Sequence, residues 1–139
     1  MKRSLGFTLV ELMIVLTVLS ILAAIAIVAY QDSVAKAQAA EGFSLATGAR
    51  TAMTIHFSQT GQYPADNASA GLAPPASISG RYVQSVTVNP AGRIDVLFSA
   101  NASSRLAGES LFLTATPAGD GILWTCSAST NRVMPSSCR

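Results

Sequence analysis

Gly6-Phe7-Thr8-Leu9-Val10-Glu11-Leu12-Met13-Ile14-Val15 opens an apolar run that continues almost without polarity to Tyr30, and one carboxylate, Glu11, stands inside it. An acidic side chain in a bilayer-spanning helix costs at least a few kcal/mol, so it is read by default as a functional residue whose partner must be sought. The intact chain is not where that partner is expected. From Phe7 to Tyr30 the run spans about 36 Å at ~1.5 Å rise per residue, which matches a bilayer core with some tilt. A transmembrane helix over 7–30 is the first structural expectation.

The preceding residues, Met1-Lys2-Arg3-Ser4-Leu5-Gly6, are short, basic and end in glycine, and they read as a leader over 1–6. A secretory signal is cut behind its apolar region, near small residues such as Ala23, Ala24 and Ala26, and loses that region. Such a signal has no use for Glu11. Cleavage after Gly6 instead keeps the helix and gives Phe7 a free α-amino group close to Glu11. Lys2 and Arg3 favour the cytoplasmic side, which sends the C-terminal portion outward.

The sequence Gly6-Phe7-Thr8-Leu9-Val10-Glu11 followed by Leu-Met-Ile-Val resembles the class III leader junction of type IV pilins, here of the type IVa, major-pilin-like kind. The resemblance implies that a membrane prepilin peptidase cuts between Gly6 and Phe7 and N-methylates Phe7. A residue without Cβ at position 6 suits close backbone approach to such an enzyme. It also implies that Glu11 neutralises the amine of a neighbouring Phe7 during assembly. Many members carry a proline where this chain has Val28. Proline kinks a helix by removing a donor and clashing with the preceding turn, so its absence predicts an unbroken helix, with Ser20 and Ala23-Ala24 as the weaker candidates for unwinding.

The chain has 139 residues, enough for one compact domain and a tether. The extracytoplasmic head is assigned to 31–139: helix 31–60, loop 61–80, sheet 81–126 and a disulfide-bounded loop 126–138. Ala35, Ala39, Phe43, Ala46, Ala49 or Arg50, Met53 and Phe57 recur at the spacing of one helical face. Gly42 and Gly48 weaken that helix by about 1 kcal/mol each relative to alanine, and Gly61 stops it. From Gly61 to Gly80 repeated Gly and Pro break any periodic element.

Beyond Gly80 the period becomes two. Tyr82, Gln84, Val86 and Val88 alternate with Val83, Ser85 and Thr87, Pro90-Ala91-Gly92 turns, and Ile94, Val96 and Phe98 return. Leu111, Phe112 and Leu113 begin a third strand, Pro117 to Gly121 turns it, and Ile122 to Cys126 forms a fourth. The expected fold is α+β, a long N-terminal helix packed against a four-stranded antiparallel sheet. One sheet face should cover Phe43, Ala46, Met53 and Phe57. Trp124 is read as core or edge packing rather than as a ligand platform.

Cys126 and Cys138 are too far apart for a Cys-x-x-Cys pair, and no cysteine or histidine cluster offers a metal set. In an outward-facing domain they are expected to form a disulfide, and Trp124-Thr125-Cys126 with Pro135 and Cys138 resembles the disulfide-bounded C-terminal region of type IVa pilins. His56 has no assignable nucleophile beside it, and there is no phosphate-binding G-x-x-x-x-G-K-[ST] loop. No enzyme activity, metal or cofactor is expected.

The resulting expectation is a structural subunit of type IV pili supporting adhesion, twitching motility and DNA uptake. It begins as an inner-membrane prepilin and ends in the extracellular pilus. Its partners are other copies in a helical homopolymer, the prepilin peptidase, the inner-membrane assembly machinery and, before assembly, the membrane. Two alternatives stand beside it. A minor competence pilin would bind DNA through Arg81, Arg93, Arg105, Arg132 and Arg139. Once the two basic residues of the leader are removed from the nine, however, seven remain against seven acidic ones, and DNA is not favoured. A type II secretion pseudopilin is disfavoured by Cys126 and Cys138.

Overall fold

The computed structural model describes residues 6–119, 121–130 and 138. In chain order it has helix α1 (Leu9–Thr60), a 3₁₀ turn (Pro75–Ser77) and strands β1 (Val83–Asn89), β2 (Arg93–Phe98), β3 (Ser110–Ala118) and β4 (Gly121–Ala128). The chain forms two compact units divided after Gln31.

In the first unit the helix begins at Leu9 rather than at Phe7, because Thr8 supplies its cap (below). Every residue from 6 to 31 is exposed, including Leu12, Ile14, Leu16, Leu19 and Leu22. The helix meets no break at Val28, as the missing proline predicts. Ser20 turns its hydroxyl back to the Leu16 carbonyl at 2.7 Å, which keeps a polar side chain satisfied within an apolar surface.

In the second unit α1 ends at Thr60, and Gly61 follows at φ 70° as the left-handed stop that only glycine adopts cheaply. The Gly61 N–H closes onto the Phe57 carbonyl at 2.8 Å. The buried face of this part of the helix is Ala35, Ala39, Gly42, Ala46, Ala49 and Met53. That corrects the expected seam at Phe57, which is half-buried and stacks on Tyr63 with centroids 4.8 Å apart, while Phe43, partly buried, packs against the core as expected. Gly42, read from sequence as a weakness, is where the sheet comes closest: a Cβ there would stand 2.8 Å from Cζ of Phe98.

The sheet is antiparallel throughout, in the order β1-β2-β3-β4. Its inner face is Val83, Val86 and Val88 of β1, Ile94, Val96 and Phe98 of β2, and Leu111, Leu113 and Ala115 of β3. Each of these apart from Ala115 contributes roughly 1.5–3 kcal/mol when fully buried. In β1 the simple alternation fails. Val83 pairs with Phe98 and Ser85 with Leu97, so Gln84 is an extra residue that flips the phase, turning Val83 inward and leaving Gln84 exposed. The third strand runs through Pro117. That is tolerated because β2 pairs with β3 only as far as Thr114, so no ladder bond to β2 is lost.

Polar side chains hold the loops to this core. Asn67, 3% exposed, donates from Nδ2 to the carbonyls of Ala73 (3.1 Å) and Val86 (2.9 Å) and accepts the Val88 N–H at 2.7 Å. It thereby occupies backbone groups on the edge of β1 that would otherwise be open to pairing. The connection between β2 and β3 is tied to the helix by an Arg105–Asp32 ion pair and by the Ser103 N–H donating to Gln38 Oε1 at 2.7 Å.

Candidate functional site

The helix start is built from Thr8-Leu9-Val10-Glu11. The Glu11 N–H donates to Thr8 Oγ1 at 3.2 Å, while Glu11 Oε2 accepts both the Thr8 N–H and the Thr8 hydroxyl at 2.9 Å. This reciprocal pair is a capping box, in which two backbone donors that a helix terminus leaves unsatisfied are bonded by side chains. Its effect is to turn the Glu11 carboxylate back toward the beginning of the helix. Phe7 lies immediately before the cap and is 88% exposed. A Cβ at Gly6 would meet nothing within 4 Å among the described residues. Gly6, Phe7 and Glu11 therefore fall on one short, accessible stretch. Thr8 belongs with them and was missed, although Thr-x-x-Glu before an apolar run is a legible signal.

The other assigned pair lies in the head. Cys126 on β4 is joined to Cys138 by a disulfide with Cα atoms 4.5 Å apart, and Cys138 is fully buried. Closing a loop of this size stabilises by about 3 kcal/mol in the chain-entropy picture. Pro135 and the rest of 131–137 lie outside the described residues, as do Lys2 and Arg3.

The three described arginines of the DNA alternative are each engaged within their own chain. Arg93 donates to Asp95 at 2.6 Å and lies over Phe112, and Asp95, through its hydrogen bond and charge, raises the Arg93 pKa. Arg105 pairs with Asp32, and Arg81 lies over Tyr82. Arg132 and Arg139 lie outside the described residues. His56 is structural: its Nδ1 faces the Gln62 carbonyl at 3.0 Å and so tethers the chain just past the helix end. Trp124 is half-buried with the Arg50 guanidinium 5.1 Å from its ring centroid, in keeping with an edge-packing role.

Comparison with known proteins matches residues 35–139 to the family described as pilin (bacterial filament). The chain belongs to the pilin family. Residues 1–27 match the prokaryotic N-terminal methylation motif. The pilin is 45% identical to the fimbrial protein EcpC of Eikenella corrodens, covering 96% of this chain and 90% of that one. It is 41% identical to a fimbrial protein of Neisseria meningitidis, over 87% of this chain and 71% of that one. It is also 41% identical to the type IV major pilin protein PilE of Neisseria gonorrhoeae, over 87% and 72%. The pilin is thus a structural pilus subunit that polymerises with copies of itself. It is anchored in the membrane as a prepilin by its apolar helix, is processed at its N-terminus, and then belongs to the extracellular pilus.

Proposed function

We propose that the prepilin peptidase cuts between Gly6 and Phe7 and methylates the new Phe7 amine, and that Glu11 then pairs with the Phe7 amine of a neighbouring subunit. The observation that carries this reading is the Thr8–Glu11 cap, which turns an ionisable carboxylate toward the helix start beside an exposed Phe7. An unpaired carboxylate inside a bundle of apolar helices is costly, and a cation placed against it removes much of that cost. Addition of a subunit in any other register leaves the charge unmatched, so the pair also sets specificity. On this reading 1–6 is leader, 7–30 is membrane helix and then filament core, and 31–139 is the head. The peptidase and the inner-membrane assembly machinery are the transient partners. The role is structural, without catalysis, in a major pilin that serves adhesion and twitching motility. DNA is a less favoured partner, because Arg93 and Arg105 already hold carboxylates of their own chain.

Mass spectrometry of sheared filaments tests the processing. The expected N-terminus is Phe7 with one added methyl. A chain beginning near Ala24 or Ala26, or an unmethylated Phe7, overturns it.

A further inference from the structure

A groove of about 350 Å³ on the head is lined by Thr47, Arg50, Thr51, Thr54 and Ile55 of α1 and by Trp124 of β4. Its threonines have already committed their protons: Thr47 donates to the Phe43 carbonyl, Thr51 to Thr47 and Thr54 to Arg50. Arg50 is different. Its Nε is buried and has no hydrogen-bond partner among the described residues, and no carboxylate pairs with its guanidinium there. The cation is held over Trp124, with no acceptor for it among the described residues. A guanidinium partly withdrawn from water favours a planar carboxylate, which takes it through two parallel bonds. Ile55, 51% exposed, gives the groove an apolar wall.

The six acidic side chains among the described residues divide clearly, Asp120 lying outside them. Asp32 and Asp95 hold arginines, Glu41 accepts the Tyr82 N–H, Glu109 accepts from Ser129, and Glu11 stands in the apolar run. Asp66 is exposed, and no cation pairs with it among the described residues. It is also held still. The Ser69 N–H donates to Oδ1 at 2.8 Å, and the next residue, Asn67, pins this turn to the edge of β1. Hydrogen bonds from the Ser69 side chain and backbone lower the Asp66 pKa, keeping it ionised. Trp124 lies on β4 and Asp66 beside β1, and these are the two opposite edges of the sheet. A contact between two different patches on opposite edges is heterologous, and repeated from copy to copy it builds an open filament wherever its rotation does not close a ring.

We propose that the Arg50–Trp124 groove receives Asp66 of a second copy of this chain, joining neighbouring heads edge to edge in the filament. The inference rests on the filament role, which wild-type cells verify in the same assay by shedding pili. In cells producing the full chain, Arg50→Glu and Asp66→Arg should each lower sheared filament at least about tenfold while the membrane pool of pilin persists. The double reversal should restore filaments to near wild type. Singles with wild-type yield, or a double no better than the singles with its pool intact, overturn the pairing. If Arg50→Glu empties the membrane pool, cross-linking decides. Thr47→Cys combined with Ala68→Cys should give a disulfide ladder of multimers in filaments, absent from either single variant. Normal filaments without a ladder overturn the proposal.

Discussion

The two stretches of α1 on either side of Gln31 are both rich in apolar residues, yet they use them in opposite ways. Before it, large side chains such as Leu12, Ile14, Leu19 and Ile25 are all exposed, and nothing in their own unit covers them. After it, the apolar stripe is small, Ala35, Ala39, Gly42, Ala46 and Ala49, and it is buried in one core with the inner face of the sheet and with Ala102 and Leu106 of the connection between β2 and β3. Large exposed residues suit a surface that must be buried by something else, first lipid and then other helices. Small buried residues suit a surface closed within the fold, where the partner supplies the bulk and close approach supplies the packing. One helix thus carries an intermolecular interface and an intramolecular one, separated by side-chain size.

The most severe way to break this contrast is at Glu11, the one charge within the intermolecular half. Glu11→Val should leave membrane insertion intact or improved, since an acid is removed from the span. On the proposed pairing with the Phe7 amine, filament yield should fall by about a hundredfold or more, because an amine left without its carboxylate in an apolar bundle costs roughly 3–5 kcal/mol. Electron microscopy and shearing read the filaments, and immunoblots of membranes read the pool. Abundant filaments from Glu11→Val would show that the apolar surface alone drives assembly.

The intramolecular half can be broken at Gly42 and sharpened at Gly48. Gly42→Leu drives a side chain into the fully buried Phe98, and overpacking of this kind should cost about 3 kcal/mol in denaturant unfolding of the detergent-solubilised chain. Gly48 is exposed on the same helix, and a Cβ there meets nothing within 4 Å. Gly48→Ala should therefore stabilise by up to about 1 kcal/mol through helix propensity. Equal effects of opposite location, or a stabilising Gly42→Leu, would show that the sheet does not rest on the small-residue stripe.

These two glycines also mark what sequence could and could not convey. Helix extent, the Gly61 stop, four strands and the disulfide all follow from periodicity, turn residues and topology, signals local to each segment. The contact face of α1 did not follow in full. Spacing of three and four fits both Gly42 and Phe43, and only the arrival of Phe98 decides between them. The phase of β1 was hidden for a similar reason: Gln84 is spent on a bulge defined by its partner strand. Asn67 carries no local signal within the 61–80 loop, since its role lies in backbone groups 19 and 21 positions away. Of the candidate site, Gly6, Phe7 and Glu11 stood out in sequence as an acid and a small-residue junction at the start of an apolar run. Thr8 was legible too, but as a cap its signal is easily lost against the apolar run.

The smallest effect is expected at a carboxylate that repeats the Glu11 device in the opposite setting. Glu11 bonds Thr8 three residues before it, and Asp66 bonds Ser69 three residues after it, but Asp66 is fully exposed in the head. Its pKa is lowered, so its contribution to stability is present at pH above the unfolded-state value of about 3.9 and is lost as pH falls through the folded value. Asp66→Asn keeps an oxygen acceptor for the Ser69 N–H and removes only the charge. Wild type should therefore exceed the variant slightly near neutral pH, and the two stability curves should converge once the solution is more acidic than the usual carboxylate range. Solvent screening keeps the gap small. Unfolding midpoints measured across that range decide it: a difference that stays constant into acid, or widens there, would mean that the charge does not hold this turn and that Asp66 differs from Glu11 in more than its surroundings.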